Sequence, residues 1–459
     1  MRVLAVAAVL AGIAGPASGQ ESPVVPPPEQ DPFYDVPEGI EPLAPGTVID
    51  AREIQPLVLG LPMPANGWQV RYRTVDQHGD PSAFIATILT PLTEWAGEGP
   101  RPVLVFNAAE AGLGLKCTAS YALRAGLQGY PGSGPFVETT AMAAAIERGW
   151  TVIAPDFQGP RSEYLGMEGY ATGILDAIRA ARAFGPAAID AGAPVGMLGY
   201  SISSSAALAA ATVPAADAAG ITFVGVVAGG TIPDWDETIR LFSGDTFGGA
   251  LAIILGGLDR SFPNVDVRQL LNDDGNAALD ASASDCLGDA VLQHPGASLD
   301  AWSAVPDFLA EPAVRKLLDE VSPLTRPGTM SAPLLLYHAA GDTYAPLETV
   351  EALAARYCRD VPVQIAVSQV GEHFANALIA HLTTFDWLAD RFAGVAPPNE
   401  CAPTSPADGP DSSHDAEGGV SGGRSELPAS GGGGAATILG VALGLLAGSL
   451  RRHEVPGTR

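Results

Sequence analysis

Along the middle of the chain, short runs of mostly apolar residues recur with helix-forming stretches between them. Pro102–Phe106, Thr151–Ala154, Val195–Leu198, Phe223–Val227, Pro333–Tyr337 and Pro362–Val367 have strand length and little polar character. Apolar residues on both faces are what a strand buried in a parallel sheet requires. Gly173–Arg182 and Ser203–Ala211 lie between such runs and read as helices. Strands alternating with helices predict an α/β fold with a mostly parallel central sheet covered on both faces. From about Ile232 to Val321 that rhythm stops. This interval is helix-prone, with Gly, Asn and Asp turns, and predicts a mainly helical cap inserted above the sheet.

The two ends differ from this body. Residues 1–19 have the order of a secretory signal peptide: Arg2, the apolar run Val3–Ala14, then Ala17-Ser18-Gly19. Residues 20–30, rich in Pro and Glu, predict a flexible leader. Globular composition extends over residues 31–401. Residues 402–434 are mostly Ser, Gly, Asp, Pro and Ala, and predict a disordered linker. Residues 435–459 begin with the apolar stretch Ala435–Leu450 and continue with Arg451-Arg452. That stretch is short for a spanning helix, although a thin bilayer accommodates it, and the Arg pair suits a cytoplasmic end. Together with Gly431–Gly434 the tail resembles bacterial sorting tails of the Gly-Gly type, which a membrane protease recognises and cuts. It therefore reads as a membrane anchor or sorting signal, with that protease as a partner.

Charge and cysteine content narrow the function classes. With 51 acidic against 24 basic residues the net charge is −27, so nucleic acid is excluded as a partner. Cys117, Cys286, Cys358 and Cys401 form an even set in an exported chain, which favours two disulfides over free thiols. None belongs to a CxxC pair, so neither a zinc site nor thiol redox chemistry is indicated. Spacing leaves three pairings open. The sequence calls for no cofactor and no metal.

The strongest local signal is Met197-Leu198-Gly199-Tyr200-Ser201-Ile202-Ser203, an apolar strand running into Gly-x-Ser with a small-residue helix behind it. This is the context of a nucleophile elbow, in which a tight strand-to-helix turn lifts a serine hydroxyl above the sheet edge. Downstream, Asp342 follows the strand ending at Ala339, and His373 follows the next strand. Nucleophile, acid and base thus appear in the order Ser201, Asp342, His373. In that arrangement Asp342 orients the imidazole, and His373 takes the Ser201 proton and returns it to the leaving alcohol. His338 lies inside an apolar strand and reads as structural, and His381 falls in a helical stretch. Two backbone N–H groups are needed for the oxyanion. Ile202, at the helix start, is one; the loop after Pro102–Phe106 supplies the other near Glu110-Ala111-Gly112, assigned to Ala111.

Several blocks in order carry a family resemblance. They are Asp31-Pro32-Phe33-Tyr34; Gly112-Leu113-Gly114-Leu115-Lys116-Cys117-Thr118-Ala119-Ser120-Tyr121; Pro155-Asp156-Phe157-Gln158-Gly159; Leu175–Ala180; and Trp387–Gly394, closing at Cys401. The chain resembles the secretory lipases of fungi and actinobacteria, α/β-hydrolases that cleave triacylglycerols and related esters. The resemblance implies the same triad and the pairings Cys117–Cys286 and Cys358–Cys401. It also implies an exported enzyme, extracellular or at the cell surface, whose substrate is a lipid or other apolar ester. Three positions depart from the family pattern: Ser203 stands for Gly in the elbow, Ala119 for Pro, and Ala111 for an Asp of the oxyanion loop. An esterase for smaller esters is the alternative within enzymes. A surface-displayed binding protein with a hydrolase fold and no turnover is the alternative from another class.

Overall fold

The computed structural model describes residues 24–401, apart from residue 219, together with residues 425–426. The expected signal peptide and the apolar C-terminal tail lie outside the described residues. Residues 24–30 carry structure that their composition did not predict. Pro28–Gln30 forms one turn of 3-10 helix with Pro28 buried, and the Val25 N–H donates to Gln128 Oε1 at 3.1 Å. A proline at the first helical position presets the backbone for such a turn.

In chain order the strands are β1 (Val48–Ile54), β2 (Leu57–Val58), β3 (Leu61–Pro62), β4 (Ala65–Val75), β5 (Pro81–Pro91) and β6 (Val103–Asn107), then β7 (Thr151–Pro155), β8 (Val195–Tyr200), β9 (Phe223–Gly229), β10 (Leu334–Ala339), β11 (Val363–Ser368) and β12 (Ser425–Glu426). β2 and β3 pair only with each other, and the rest form one sheet in the order β1-β4-β5-β7-β6-β8-β9-β10-β11-β12. From β7 to β12 every pairing is parallel. β1, β4 and β5 are antiparallel additions. All six apolar runs noted in the sequence are strands of the parallel part. Within the stretch expected to be a disordered linker, Ser425–Glu426 pairs beside β11.

The first three long strands gave no clean alternation, for a physical reason. β5 is buried on both faces along nearly all its length. β4 carries Gln69, Arg71 and Arg73 into contact rather than solvent: Gln69 Nε2 donates to the Ser120 carbonyl at 2.7 Å. Their connection is set by Asp76, whose Oδ1 accepts from the N–H groups of His78 (2.9 Å) and Asp80 (3.0 Å) in an Asx turn.

Both faces of the sheet are covered. On one lie the helices α2 (Met167–Ala183), α3 (Ile202–Ala211) and α4 (Leu347–Tyr357), sharing a core with the inserted segment. On the other lie α1 (Gly134–Glu147) and the C-terminal α5 (His373–Phe392), where Trp150 meets Phe385 and Phe392 edge-on. Between β9 and β10 the chain forms six α-helices, Trp235–Phe242, Ala250–Ser261, Asp273–Ala281, Leu287–Gln293, Leu299–Trp302 and Pro312–Val321. Among the described residues no helix is long and apolar enough to cross a membrane.

Candidate active site

The site lies at the C-terminal ends of β8, β10 and β11. β8 runs into Ser201, and α3 starts at the next residue. Ser201 has φ 56° and ψ −126°, a conformation that L-residues adopt at a strain of about 1–3 kcal/mol. The surroundings hold it there. The Ser201 N–H donates to the Gly229 carbonyl at 2.8 Å. Gly199 has no alternative, because a Cβ at that position would lie 2.2 Å from the Ser203 carbonyl oxygen.

Ser203, the departure from glycine in the elbow, has a definite structural use. Its Oγ accepts from the Tyr200 N–H at 2.9 Å and donates to the Tyr200 carbonyl at 2.8 Å. A fully buried hydroxyl thus bonds both backbone groups of Tyr200 across the sharp turn.

β10 and β11 bring two further groups to Ser201. His373 opens α5, whose N-terminus is capped by the Glu372 carboxylate accepting from Ala375 N–H (2.8 Å) and Phe374 N–H (3.1 Å). That cap turns Glu372 away and leaves the His373 ring free to face the elbow. His373 Nε2 lies 2.9 Å from Ser201 Oγ, and His373 Nδ1 lies 2.7 Å from Asp342 Oδ2. Asp342 Oδ1 accepts from the N–H groups of Tyr344 and Ala345, both at 3.0 Å. Burial works to raise the Asp342 carboxyl, but the hydrogen bond and charge of His373, with His338 and the Ala345 N–H, hold it below the usual aspartate value. Asp342 is therefore an ionised acceptor that fixes the His373 proton on Nδ1 and leaves Nε2 open toward Ser201.

His338 is wholly buried in β10. Its Nε2 donates to the Ala345 carbonyl at 2.6 Å and lies 3.7 Å from Asp342 Oδ2. Burial pushes its pKa down, so it is a neutral support for the Asp342 turn rather than a second base. Two more supports were not singled out in the sequence. The Tyr200 hydroxyl donates to the His373 carbonyl at 2.5 Å, and its ring lies 5.4 Å from the imidazole. Tyr344 meets the imidazole edge-on at 6.2 Å and donates through its hydroxyl to Asp245 Oδ1 at 2.8 Å. Their adjacency to Ser201 and Asp342 was the available signal.

The two expected oxyanion donors have different surroundings. Ile202 is the first residue of α3, where an N–H has no intrahelical partner. The Ala111 N–H is turned back onto the Ala109 carbonyl at 2.8 Å, as Glu110 N–H is onto Ala108. The loop itself emerges beside the elbow, since β6 and β8 pair with Asn107 opposite Gly199. It is also fastened to the inserted helices. Leu113 N–H donates to the Asp285 carbonyl and Leu287 N–H to the Ala111 carbonyl, both at 2.8 Å. The disulfide Cys117–Cys286 closes the same junction, and Cys358–Cys401 pins the last described stretch of the domain, as the resemblance implied. Gly112 is required here, because a Cβ would lie 2.5 Å from Cys117 Sγ.

The inserted segment also reaches the histidine side of the site. Phe247 stacks on Phe374 at 4.7 Å and meets Tyr344 edge-on at 5.6 Å, while Phe242 stacks on Tyr344 at 4.4 Å.

Fold and site together define the class: an α/β-hydrolase with serine, histidine and aspartate in one hydrogen-bonded line. The family model for secretory lipases matches residues 134–400. A probable inactive lipase of Mycobacterium tuberculosis, MT1628, is 30% identical over 377 residues, covering 80% of this chain and 83% of its own length. Lipase 4 of Candida albicans is 26% identical over 390 residues, covering 82% and 83%. Among solved structures, Candida antarctica lipase A in its closed state matches 84% of this chain and 90% of its own with a TM-score of 0.76 at 23% identity. The chain belongs to the secretory lipase family.

Proposed function

We propose that this protein is an exported serine hydrolase of carboxylic esters, most suited to triacylglycerols and other esters with apolar acyl chains. The observation that carries the proposal is the continuous line Ser201 Oγ–His373 Nε2–His373 Nδ1–Asp342 Oδ2, at 2.9 and 2.7 Å. As the Ser201 oxygen bonds to the ester carbonyl carbon, its proton passes to His373 Nε2, and Asp342 stabilises the imidazolium. The Ile202 N–H meets the negative oxygen at the positive end of α3. Collapse expels the alcohol, which takes the proton from His373 and leaves an acyl-Ser201. Water, deprotonated by His373, then releases the acid and restores the serine. The rings of Phe247, Phe374 and Tyr344 beside His373 favour an apolar substrate.

A second reading is a binding protein that keeps the fold without turnover. It is favoured by the similarity to a relative named a probable inactive lipase, and by the engagement of the Ala111 N–H with Ala109.

The two readings are separated by the mature protein and its Ser201→Ala variant, assayed on chromogenic esters of increasing acyl length. Hydrolysis of medium or long chains, abolished by the substitution, supports the lipase reading. A short-chain optimum moves the assignment to an esterase. Folded protein with no turnover on any ester leaves the binding reading.

A further inference from the structure

Behind the loop that follows β6, two carboxyl groups are buried against each other. Glu110 is 1% exposed and Asp156, just past β7, is 4% exposed. Asp156 Oδ1 accepts from the Ser120 N–H at 3.0 Å and Oδ2 from the Ser120 hydroxyl at 2.5 Å. Ser120 Oγ in turn receives the Tyr34 hydroxyl at 2.9 Å. Every polar group around Asp156 is therefore arranged to serve an ionised carboxylate.

Glu110 is served differently. Its Oε1 accepts from the Ala119 N–H at 2.9 Å. A proline at 119 would have no such N–H to offer. Its Oε2 is buried without a well-formed hydrogen bond, and the neighbours within reach of the carboxyl are the Gln158 N–H and the Asp156 carboxyl. Two ionised carboxylates cannot keep that contact, whereas one shared proton makes it a hydrogen bond from Glu110 to Asp156. The electrostatics agree. Burial pushes Asp156 up to about 6. Burial first, then the charge of Asp156, raises Glu110 well above the usual range. The titratable groups facing the pair are Tyr34 from the N-terminal turn, Tyr72 from β4 and Tyr170 from α2, phenols kept neutral by burial. Arg52 and Arg124 lie beyond Tyr34, bonded to Asp31 at 2.7 and 2.8 Å.

The pair is one of several anchors of the loop beside Ser201, next to the Glu138 carboxylate, which accepts from the Ala109 N–H at 2.6 Å. The Glu110 carbonyl accepts from the Gln158 side chain, so both its side chain and its backbone are tied to the segment after β7. Ala111 follows directly, in the stretch opposite the elbow.

We propose that Glu110 and Asp156 are positioning residues for the oxyanion loop: while they share a proton the Glu110–Ala111 turn is held in place beside Ser201, and when that proton leaves this turn shifts, while Cys117–Cys286 keeps the far end of the loop fastened. The inference rests on the reading of Ser201 as the nucleophile. Turnover should therefore decline on the alkaline side through the loop, independently of His373. Glu110→Gln separates this role from simple packing, because the amide keeps an acceptor for Ala119 N–H and a donor for Asp156 but cannot ionise.

Two readouts test the proposal in the intact mature protein. In the first, kcat/KM on a soluble ester is followed from about pH 6 to about pH 10. Wild type should fall about tenfold per pH unit once the last proton leaves, and Glu110→Gln should match it at neutral pH without that fall. The second is the melting temperature against pH. Glu110 has a folded pKa above its unfolded one, so its stabilising contribution is full below about pH 4 and is lost as pH rises toward the folded value. The melting temperature of Glu110→Gln relative to wild type should accordingly climb with pH.

Equal pH dependence of the two proteins in either readout overturns the proposal, as does a Glu110→Gln protein slowed equally at every pH. Should that variant not fold, the infrared carbonyl stretch of a protonated carboxyl in the wild type at neutral pH decides, and its absence overturns the proposal. Wild type inactive at every pH would defeat the reading of Ser201 and the pair's role in turnover with it. Wild-type activity with a profile unchanged in Glu110→Gln would defeat this inference alone.

Discussion

Replacing Asp342 with asparagine should disable the site while leaving its geometry almost unchanged, and the structure says why. Asp342 Oδ1 receives two backbone N–H groups, from Tyr344 and Ala345, each at 3.0 Å. In Asp342→Asn only the amide oxygen can occupy that position, so the NH₂ group must take the place of Oδ2. It then points a donor at His373 Nδ1, 2.7 Å away in the wild type. The imidazole can accept that bond only by moving its proton to Nε2, the nitrogen that faces Ser201 Oγ at 2.9 Å. A protonated Nε2 cannot take the serine proton. His338 gives no rescue, because its Nε2–H is already committed to the Ala345 carbonyl. The expected loss in kcat is about 10⁴-fold, or roughly 5.5 kcal/mol of barrier.

The assay is steady-state hydrolysis of a chromogenic ester by wild type and Asp342→Asn, with melting temperatures measured alongside. KM should change little and both proteins should fold. At neutral pH the variant should melt somewhat lower, since it lacks a carboxylate whose pKa is depressed by folding. That stabilising contribution is present above the unfolded value near 4 and is lost as pH falls through the folded one, so the two melting temperatures should converge in acid. A variant retaining a tenth or more of the wild-type kcat would refute the tautomer argument.

Two further outcomes follow from contacts elsewhere in the site. Ser203→Ala should destabilise the fold by about 2 kcal/mol, read by chemical denaturation, because it strips the Tyr200 N–H and carbonyl of their shared partner in a fully buried turn. Removing the Cys117–Cys286 bridge with paired Cys→Ser changes opens a loop of sequence separation 169. In the chain-entropy model this lowers stability by about 5 kcal/mol, measurable as a fall in melting temperature. The loss should be larger than for Cys358–Cys401, with its separation of 43.

Much of the molecule could be read from local pattern alone. The six apolar runs became β6 to β11 because strands buried on both faces need no alternation and leave an unmistakable signature. The elbow was legible because Gly199 and Ser201 sit at a strand end followed by small residues. The order of Ser201, Asp342 and His373 was legible because each follows its own strand. β1 and β4 gave no clear pattern because their polar side chains are engaged in partly buried contacts, which blurs the period of two that marks a half-exposed strand, and in β5 the buried Ser82 and Thr87 interrupt what is otherwise an apolar run.

Local pattern is enough for the strand–helix rhythm, the inserted helices and the residue types able to do ester chemistry. Those depend on periodicity and on what each side chain is made of, which neighbours in the chain reveal. Long-range packing sets the rest: the Ser203 hydroxyl closes the elbow, Asp342 holds its charge between His373 and two backbone donors, and Ala111 turns its N–H toward Ala109. It also brings Glu110 and Asp156, 46 positions apart in the sequence, into one buried contact. Where a proton resides depends on desolvation and on the donors within hydrogen-bonding reach. Both are supplied by segments distant in the chain, so they come into existence only when the chain has folded.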